Sequence, residues 1–171
     1  MILSLDPGSS RIGWAITHPQ GKTVDYGFLS PVKDTPKNMG FNLKMNLLIR
    51  RLIPSFNELL SRKVTKVAWE IVPAFGQMAQ RELVQATATT LKILTIQKGL
   101  EYQQFTPQGW HKKALGVAKC TKEEVKSWVI ENNLLLYNVR IEDDLPYDVY
   151  DAIAIGLVAQ KYNEWITDEL V

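Results

Sequence analysis

The chain has 171 residues, 46% of them hydrophobic and 22% charged, with a net charge of +2. This is ordinary for one soluble globular domain spanning 1–171, and any nucleic-acid surface on so weakly charged a chain must be locally basic. Lone Cys120 excludes an internal disulfide, no apolar run reaches the roughly 20 residues of a membrane helix, and the N-terminus has no signal-peptide pattern, so a cytoplasmic chain is expected.

Met1 to Ile16 reads as strand, tight turn, strand. Ile2, Leu3 and Leu5 form an apolar run that stops at Asp6. Pro7 and Gly8 break it, and Ser9, Ser10 and Arg11 lead into Ile12 to Ile16. Lys22 to Ser30 alternates as a third strand after the Gln20-Gly21 turn. From Asn38 to Ser61, Leu43, Leu47, Leu48, Leu52, Phe56, Leu59 and Leu60 recur at helical spacing, with Pro54 expected to kink or divide the helix. Arg50 and Arg51 are expected on its wet face. Val64 to Glu70 is a further core strand ending on an acid, followed by a loop with Pro73 and Phe75.

Gln77 to Gly99 is the longest helical pattern. It carries little charge in its middle, which predicts packing on two sides and suggests a central helix or a dimer surface. Glu101 to Phe105 is a short strand closed by Thr106-Pro107. Gln108 to Lys126 is locally basic, with His111, Lys112, Lys113, Lys119, Lys122 and Lys126 beside Trp110 and Trp128. Thr121 and Glu124 have capping-box spacing for the helix that follows. Leu134 to Arg140 is ambiguous, and Glu142 to Asp144 reads as an acidic loop. Pro146 opens a last helix from about Tyr147 to Trp165. The order predicts an α/β fold with a mixed five-stranded sheet, its first three strands an antiparallel meander.

Asp6 at the exit of a buried strand is costly unless cations or hydrogen bonds compensate, although an Asp before Pro-Gly also suits a simple turn cap. Asp148 and Asp151 lie three apart on the last helix, on the inward face continued by Ile155 and Val158. The bland alternative has Asp148 capping the helix while Asp151 pairs with a lysine. If the first and fourth strands are neighbours, Asp6, Glu70, Asp148 and Asp151 meet at one sheet edge. Four hard oxygen donors without paired His or Cys suit Mg²⁺ or Mn²⁺ rather than zinc, and two such ions about 4 Å apart suit phosphodiester hydrolysis.

Leu5-Asp6-Pro7-Gly8-Ser9 with Gly13-Trp14-Ala15, then Trp69-Glu70, then Asp148-Val149-Tyr150-Asp151-Ala152-Ile153-Ala154-Ile155, resembles the RuvC family of Holliday-junction resolvases over nearly the whole chain. The resemblance implies a ribonuclease H-like fold. It makes Asp6, Glu70, Asp148 and Asp151 the metal-binding catalytic acids, with Asp6 at the central strand end expected to bridge two ions. Lys122 sits where the family carries a lysine near the scissile phosphate. A homodimer nicking four-way DNA junctions symmetrically, leaving 5′-phosphate and 3′-hydroxyl ends, is the activity implied.

The chain also departs from the family. The third position after Glu70, where bacterial members usually place an aromatic that unstacks bases, is Pro73, and Phe75 two further on is the candidate for that role. Residues 33–63 match nothing residue by residue, a divergence that resembles phage or viral members. Lys112, Lys113 and Lys119 are candidate phosphate contacts against a merely solvated face, and Trp110 either stacks on a base or anchors the core. His18 and His111 receive no role as ligands. The rival readings are a nuclease of the same fold acting on flaps, other branched DNA or structured RNA, and a catalytically inactive junction-binding protein. An actin-like ATPase or sugar kinase is disfavoured by size and by the missing second glycine-rich phosphate loop.

Overall fold

Ile2, Leu3, Ser4 and Leu5 are all buried, as befits a strand covered on both faces, and they form the centre of β1 (Ile2–Pro7). The computed structural model describes residues 1–8, 10–36, 38–71, 78–132, 144–162 and 165. The remaining elements, in chain order, are β2 (Ile12–His18), β3 (Lys22–Leu29), α1 (Phe41–Ser61), β4 (Lys66–Glu70), α2 (Met78–Gln97), β5 (Glu101–Phe105), α3 (Pro107–Leu115), α4 (Lys122–Asn132) and α5 (Tyr147–Lys161). The sheet order is β3-β2-β1-β4-β5. The first three strands are antiparallel, and β4 and β5 run parallel to β1. This is the mixed sheet with an opening meander that the apolar pattern predicts.

The period-two alternation of the strands sorts their side chains into two cores. Leu3, Leu5, Ile12, Trp14, Ile16, Val67 and Trp69 face α1 and α2. Ile2, Ala15, Ala68 and Phe105 face α5, with Trp110 of α3 and Val125 and Val129 of α4 filling in. By the same alternation Ser4 and Asp6 of β1, and Glu70 of β4, belong to the α5 face.

α5 is apolar nearly all round, with Val149 to Gly156 buried without a break, so it lies across the sheet rather than on its surface. Gly13 sets its closest approach. A Cβ at that position would stand 1.8 Å from the carbonyl oxygen of Asp148. Only a residue without a side chain lets the first turn of the helix rest on β2.

Several local expectations are corrected. Pro54 does not divide α1, which runs unbroken through it. The carbonyl that Pro54 leaves without its helical donor, that of Arg50, lies on the exposed face of the helix, where solvent has access to it. Arg50 and Arg51 are exposed as expected, and the Arg51 guanidinium also donates to the carbonyl oxygens of Pro31 and Lys33, each at 2.9 Å, which ties the β3–α1 loop to the helix. The basic segment carries α3 and the start of α4. Thr106 caps α3 by accepting from the Gly109 N–H at 3.1 Å, Pro107 fills the first turn, and Gly116 ends the helix with φ at +79°. The Thr121–Glu124 capping box opens α4 as expected, with the Thr121 N–H donating to Glu124 at 2.6 Å and the Glu124 N–H donating to the Thr121 hydroxyl at 3.2 Å. α5 ends at Lys161 rather than near Trp165, because Tyr162 turns extended. The 134–140 segment, Glu142, Asp143, Pro73 and Phe75 lie outside the described residues.

Replacing Gly13 by alanine is expected to cost about 3 kcal/mol or more, because the new methyl meets only backbone. Gly156→Ala, whose Cβ meets the movable hydroxyls of Thr17 and Ser4 at 2.4 and 2.6 Å, should cost less. Urea-unfolding midpoints of the two variants test the order.

Candidate active site

Two parallel strands and one helix bring the acids together. Leu5 pairs with Trp69, so the next residues along, Asp6 and Glu70, leave the ends of neighbouring strands side by side. Asp6 also pairs with Gly13, the residue on which the start of α5 rests, and this sets Asp148 over the same rung of the sheet. One turn further, Asp151 is 3% exposed, the only buried acid among the described residues.

Burial and crowding disfavour the ionised state at three of these groups. The Asp6 carboxyl is held well above its ordinary range, first by loss of hydration and then by Asp151, Glu70 and Asp148, against the pull of Lys122. Glu70 is raised by burial and by Asp151, while the hydrogen bond it accepts from the Trp110 indole N–H, at 2.7 Å, opposes the shift. Asp151 is raised by burial and by Asp148, while Lys122 opposes the shift. These are the marks of like charges forced into one dry place.

Cations answer from two sides. The Lys122 ammonium, on the first residue of α4, forms a salt bridge with Asp151. Burial works against that charge, but Asp151, Asp6 and Asp148 together keep the ammonium above its usual range, so it stays cationic. Both halves of the bland alternative thus hold in part: Asp151 does pair with a lysine, and Asp148 lies in the first turn of α5, though it makes no capping hydrogen bond. Across the site, Arg11 reaches Asp148 at 3.9 Å, an ion pair without a hydrogen bond.

The basic residues of the 108–126 segment divide. Lys112 and Lys119 are exposed, on the last turn of α3 and in the loop before α4. Lys113 is half-buried, its ammonium over the rings of Phe105 and Tyr162 at 5.4 and 4.6 Å. Trp110 is 1% exposed and bonded to Glu70, so its ring is closed to a base and its work is to orient an acid. His111 packs edge-on against Trp110 at 4.0 Å, and burial lowers its pKa against the opposing pull of a backbone hydrogen bond with Ala118 and of Asp151. Arg11 and the Trp110–Glu70 bond were not legible as site features, since both depend on partners far away in sequence.

Among the described residues no three His, Cys, Asp or Glu side chains are already drawn together as a closed metal cage. What the site offers is an excess of hard oxygen donors: four carboxylates against Lys122 and Arg11, with the ammonium lying on Asp151. Such a donor set fits divalent cations that bind oxygen, and admitting one requires Lys122 to move off Asp151.

Comparison with known proteins identifies the family and the fold. A family model described as crossover junction endodeoxyribonuclease RuvC matches residues 2–159. A protein of that name from a Sulfurovum species is 30% identical over 159 residues, covering 91% of this chain and 92% of its own. One from Campylobacter jejuni is 29% identical over 165 residues, with 91% and 92% covered. Among solved structures, Thermus thermophilus RuvC in complex with a Holliday junction substrate superposes with a TM-score of 0.72 at 18% identity, over 95% of this chain and 93% of that one. The structure described simply as Thermus thermophilus RuvC gives 0.68. At that identity the likeness establishes the fold, which is ribonuclease H-like. The chain therefore belongs to the RuvC family of crossover junction endodeoxyribonucleases and is a nuclease.

Proposed function

We propose that this nuclease resolves four-way DNA junctions by metal-dependent hydrolysis of the phosphodiester backbone, acting as a homodimer. The observation that carries the chemistry is the meeting of Asp6, Glu70 and Asp151 on one sheet face, each with its pKa raised by burial and by a neighbouring acid. Metal-free, that arrangement is costly; with divalent cations between the carboxylates the cost becomes binding energy.

Asp6, Glu70, Asp148 and Asp151 would hold two ions, Mg²⁺ with Mn²⁺ as a substitute. When bound, these ions supply Lewis acidity toward the phosphate and lower the pKa of water. The residues do the rest. Asp6, raised by all three of the other acids, would be shared between the ions, and Trp110 holds Glu70 in one orientation through its indole N–H. Lys122, kept cationic by the acids, turns from Asp151 to the scissile phosphate and balances the charge that develops there. Water attacks in line, a new P–O bond forms, and the bond to the 3′ oxygen breaks. The departing oxygen takes up a proton, leaving a 3′-hydroxyl and a 5′-phosphate. Lys112 and Lys119, exposed beyond the site, hold flanking phosphates without reading sequence, and Lys113 contributes if its ammonium leaves the aromatic rings. Phe75 is assigned the unstacking wedge because of its place after Glu70 in the chain.

Support for the dimer comes from the groove between α1 and α2, about 620 Å³, lined by Ile49, Ile53, Ala86, Ile93 and Leu94. Ile53 and Ile93 are exposed there, an apolar surface suited to a second copy of the chain. A flap-cutting nuclease with the same acids is the second reading, and substrate choice is what separates the two.

With labelled four-way junction, flap and linear duplex in Mg²⁺, paired symmetric nicks on the junction are expected, and comparable cutting of flaps would favour the second reading. Asp6→Asn should lose at least about 10³-fold in cleavage rate while still binding the junction. In EDTA the same variant should melt above the parent near neutral pH. Asp6 is raised in the folded state, so its ionisation destabilises the fold once pH exceeds the unfolded value, and asparagine removes that penalty. Mg²⁺ should raise the parent's melting temperature and do little for the variant. Trp110→Phe keeps the ring and removes the donor; a loss of about tenfold in Mg²⁺ affinity, read from the midpoint of a metal-activation curve, is expected. Ile93→Glu should turn a dimer into a monomer by light scattering, and a parent already monomeric at micromolar concentration would remove the dimer from this reading.

A further inference from the structure

We propose that the pocket beside β3 formed around Arg11 and Phe28 is a second nucleic-acid subsite, which takes the base and phosphate of a nucleotide flanking the cut. The inference rests on the junction-nuclease reading and extends it to a pocket two strands away from Asp6.

Register locates the pocket. Asp6 pairs with Gly13, and Gly13 pairs with Phe28, so the ring stands on the same rung and the same face as the catalytic acid. Two strand spacings separate them, roughly 10 Å. At about 3.4 Å of helix axis per nucleotide of one strand, that is within about three nucleotides of the scissile phosphate.

The side chains match this position chemically. Phe28 is 50% exposed, although neighbouring Tyr26 on the same face packs into the core. The Arg11 guanidinium carbon lies 5.4 Å from the ring centroid, and Arg11 is the residue that also approaches Asp148. Ser10, Ser30 and Lys33 complete the lining of a space of about 400 Å³. An aromatic face for a base, with a guanidinium, an ammonium and two hydroxyls for a phosphate, is the combination that holds a single strand.

The site is also preformed. Arg51 holds the carbonyls of Pro31 and Lys33 from α1, and the Thr35 hydroxyl donates to the Val32 carbonyl at 2.8 Å, so Lys33 is carried on a braced loop. Because Arg11 meets Asp148 without a hydrogen bond, a phosphate entering the pocket competes with a loose contact only.

The test measures binding in an Asp6→Asn background, so that nothing is cut, on a four-way junction carrying 2-aminopurine within three nucleotides of the cleavage point. Phe28→Leu should weaken binding about tenfold and remove the fluorescence change that stacking produces. Arg11→Gln should weaken binding and lower the log–log salt slope by about 1, whereas Arg11→Lys should restore the slope. Lys33→Gln, on an exposed loop residue, gives the slope a second reading if an Arg11 variant folds poorly. Parental affinity, slope and fluorescence in all these variants would overturn the subsite while leaving the nuclease reading intact. A parent chain, with Asp6 restored, that neither cuts nor binds branched DNA would overturn both.

Discussion

Repulsion among carboxylates at one end of the sheet is the interaction on which the rest of the architecture depends. Asp6, Glu70 and Asp151 all sit where burial and neighbouring acids make ionisation costly. A sheet end with one acid could be a turn. A sheet end where two strands and a helix each deliver an acid is a place that attracts cations, and the fold provides two of its own, Lys122 and Arg11, from opposite sides. Both side chains are partly exposed, which is what the proposed exchange of an acid for a phosphate requires. On the proposed reading, the same repulsion that costs the metal-free protein stability is what a bound divalent ion relieves, a common relation between stability and activity at catalytic centres.

Holding those acids together requires backbone precision, and Gly13 provides it. The first turn of α5 rests directly on β2 there, with no side chain between. Farther along, the helix is fixed by apolar contact on every side, so the first turn has little freedom to drift. Asp148 and Asp151 are thus carried on a rigid element, while Asp6 and Glu70 are carried by paired strands. The groups around them are less constrained: Lys122 starts α4, and Arg11 sits on a turn. Rigid acids surrounded by adjustable cations suit a site that must admit and release a charged polymer.

The exposed surfaces follow the same division between the two faces of the sheet. The α5 face carries the acids, the exposed lysines of α3 and its loop, and the Arg11–Phe28 pocket at the far strand. The opposite face is covered by α1 and α2, whose apolar groove looks away from the acids. The proposed DNA surface and the proposed dimer surface thus lie on opposite layers of helices and do not compete for space.

Much of this was legible in the residues alone, for identifiable reasons. Strand and helix periods recorded burial directly, so the meander and the inward face of α5 followed from where Leu, Ile and Val recur, while the parallel pairing of β1 with β4 stayed a condition that only the assembled sheet met. The four acids were legible because each ends or lines an apolar run, where a charge is out of place. The Thr121–Glu124 cap was legible because its partners are three residues apart. What the chain order concealed were contacts between distant segments. The Trp110–Glu70 bond spans 40 residues, Lys122 and Asp151 are 29 apart, and Arg51 reaches back 20 to the Pro31 carbonyl. Pro54 promised a break that an exposed face made unnecessary, and Phe28 looked like any strand aromatic until register put it on the rung of Asp6. Local pattern determined the elements, the layers and the kind of chemistry, because burial periodicity and misplaced charge are properties of neighbouring residues. Which cation answers which acid, and which aromatic faces solvent beside the site, was decided only by tertiary structure, because those depend on distances that exist only once the sheet is assembled.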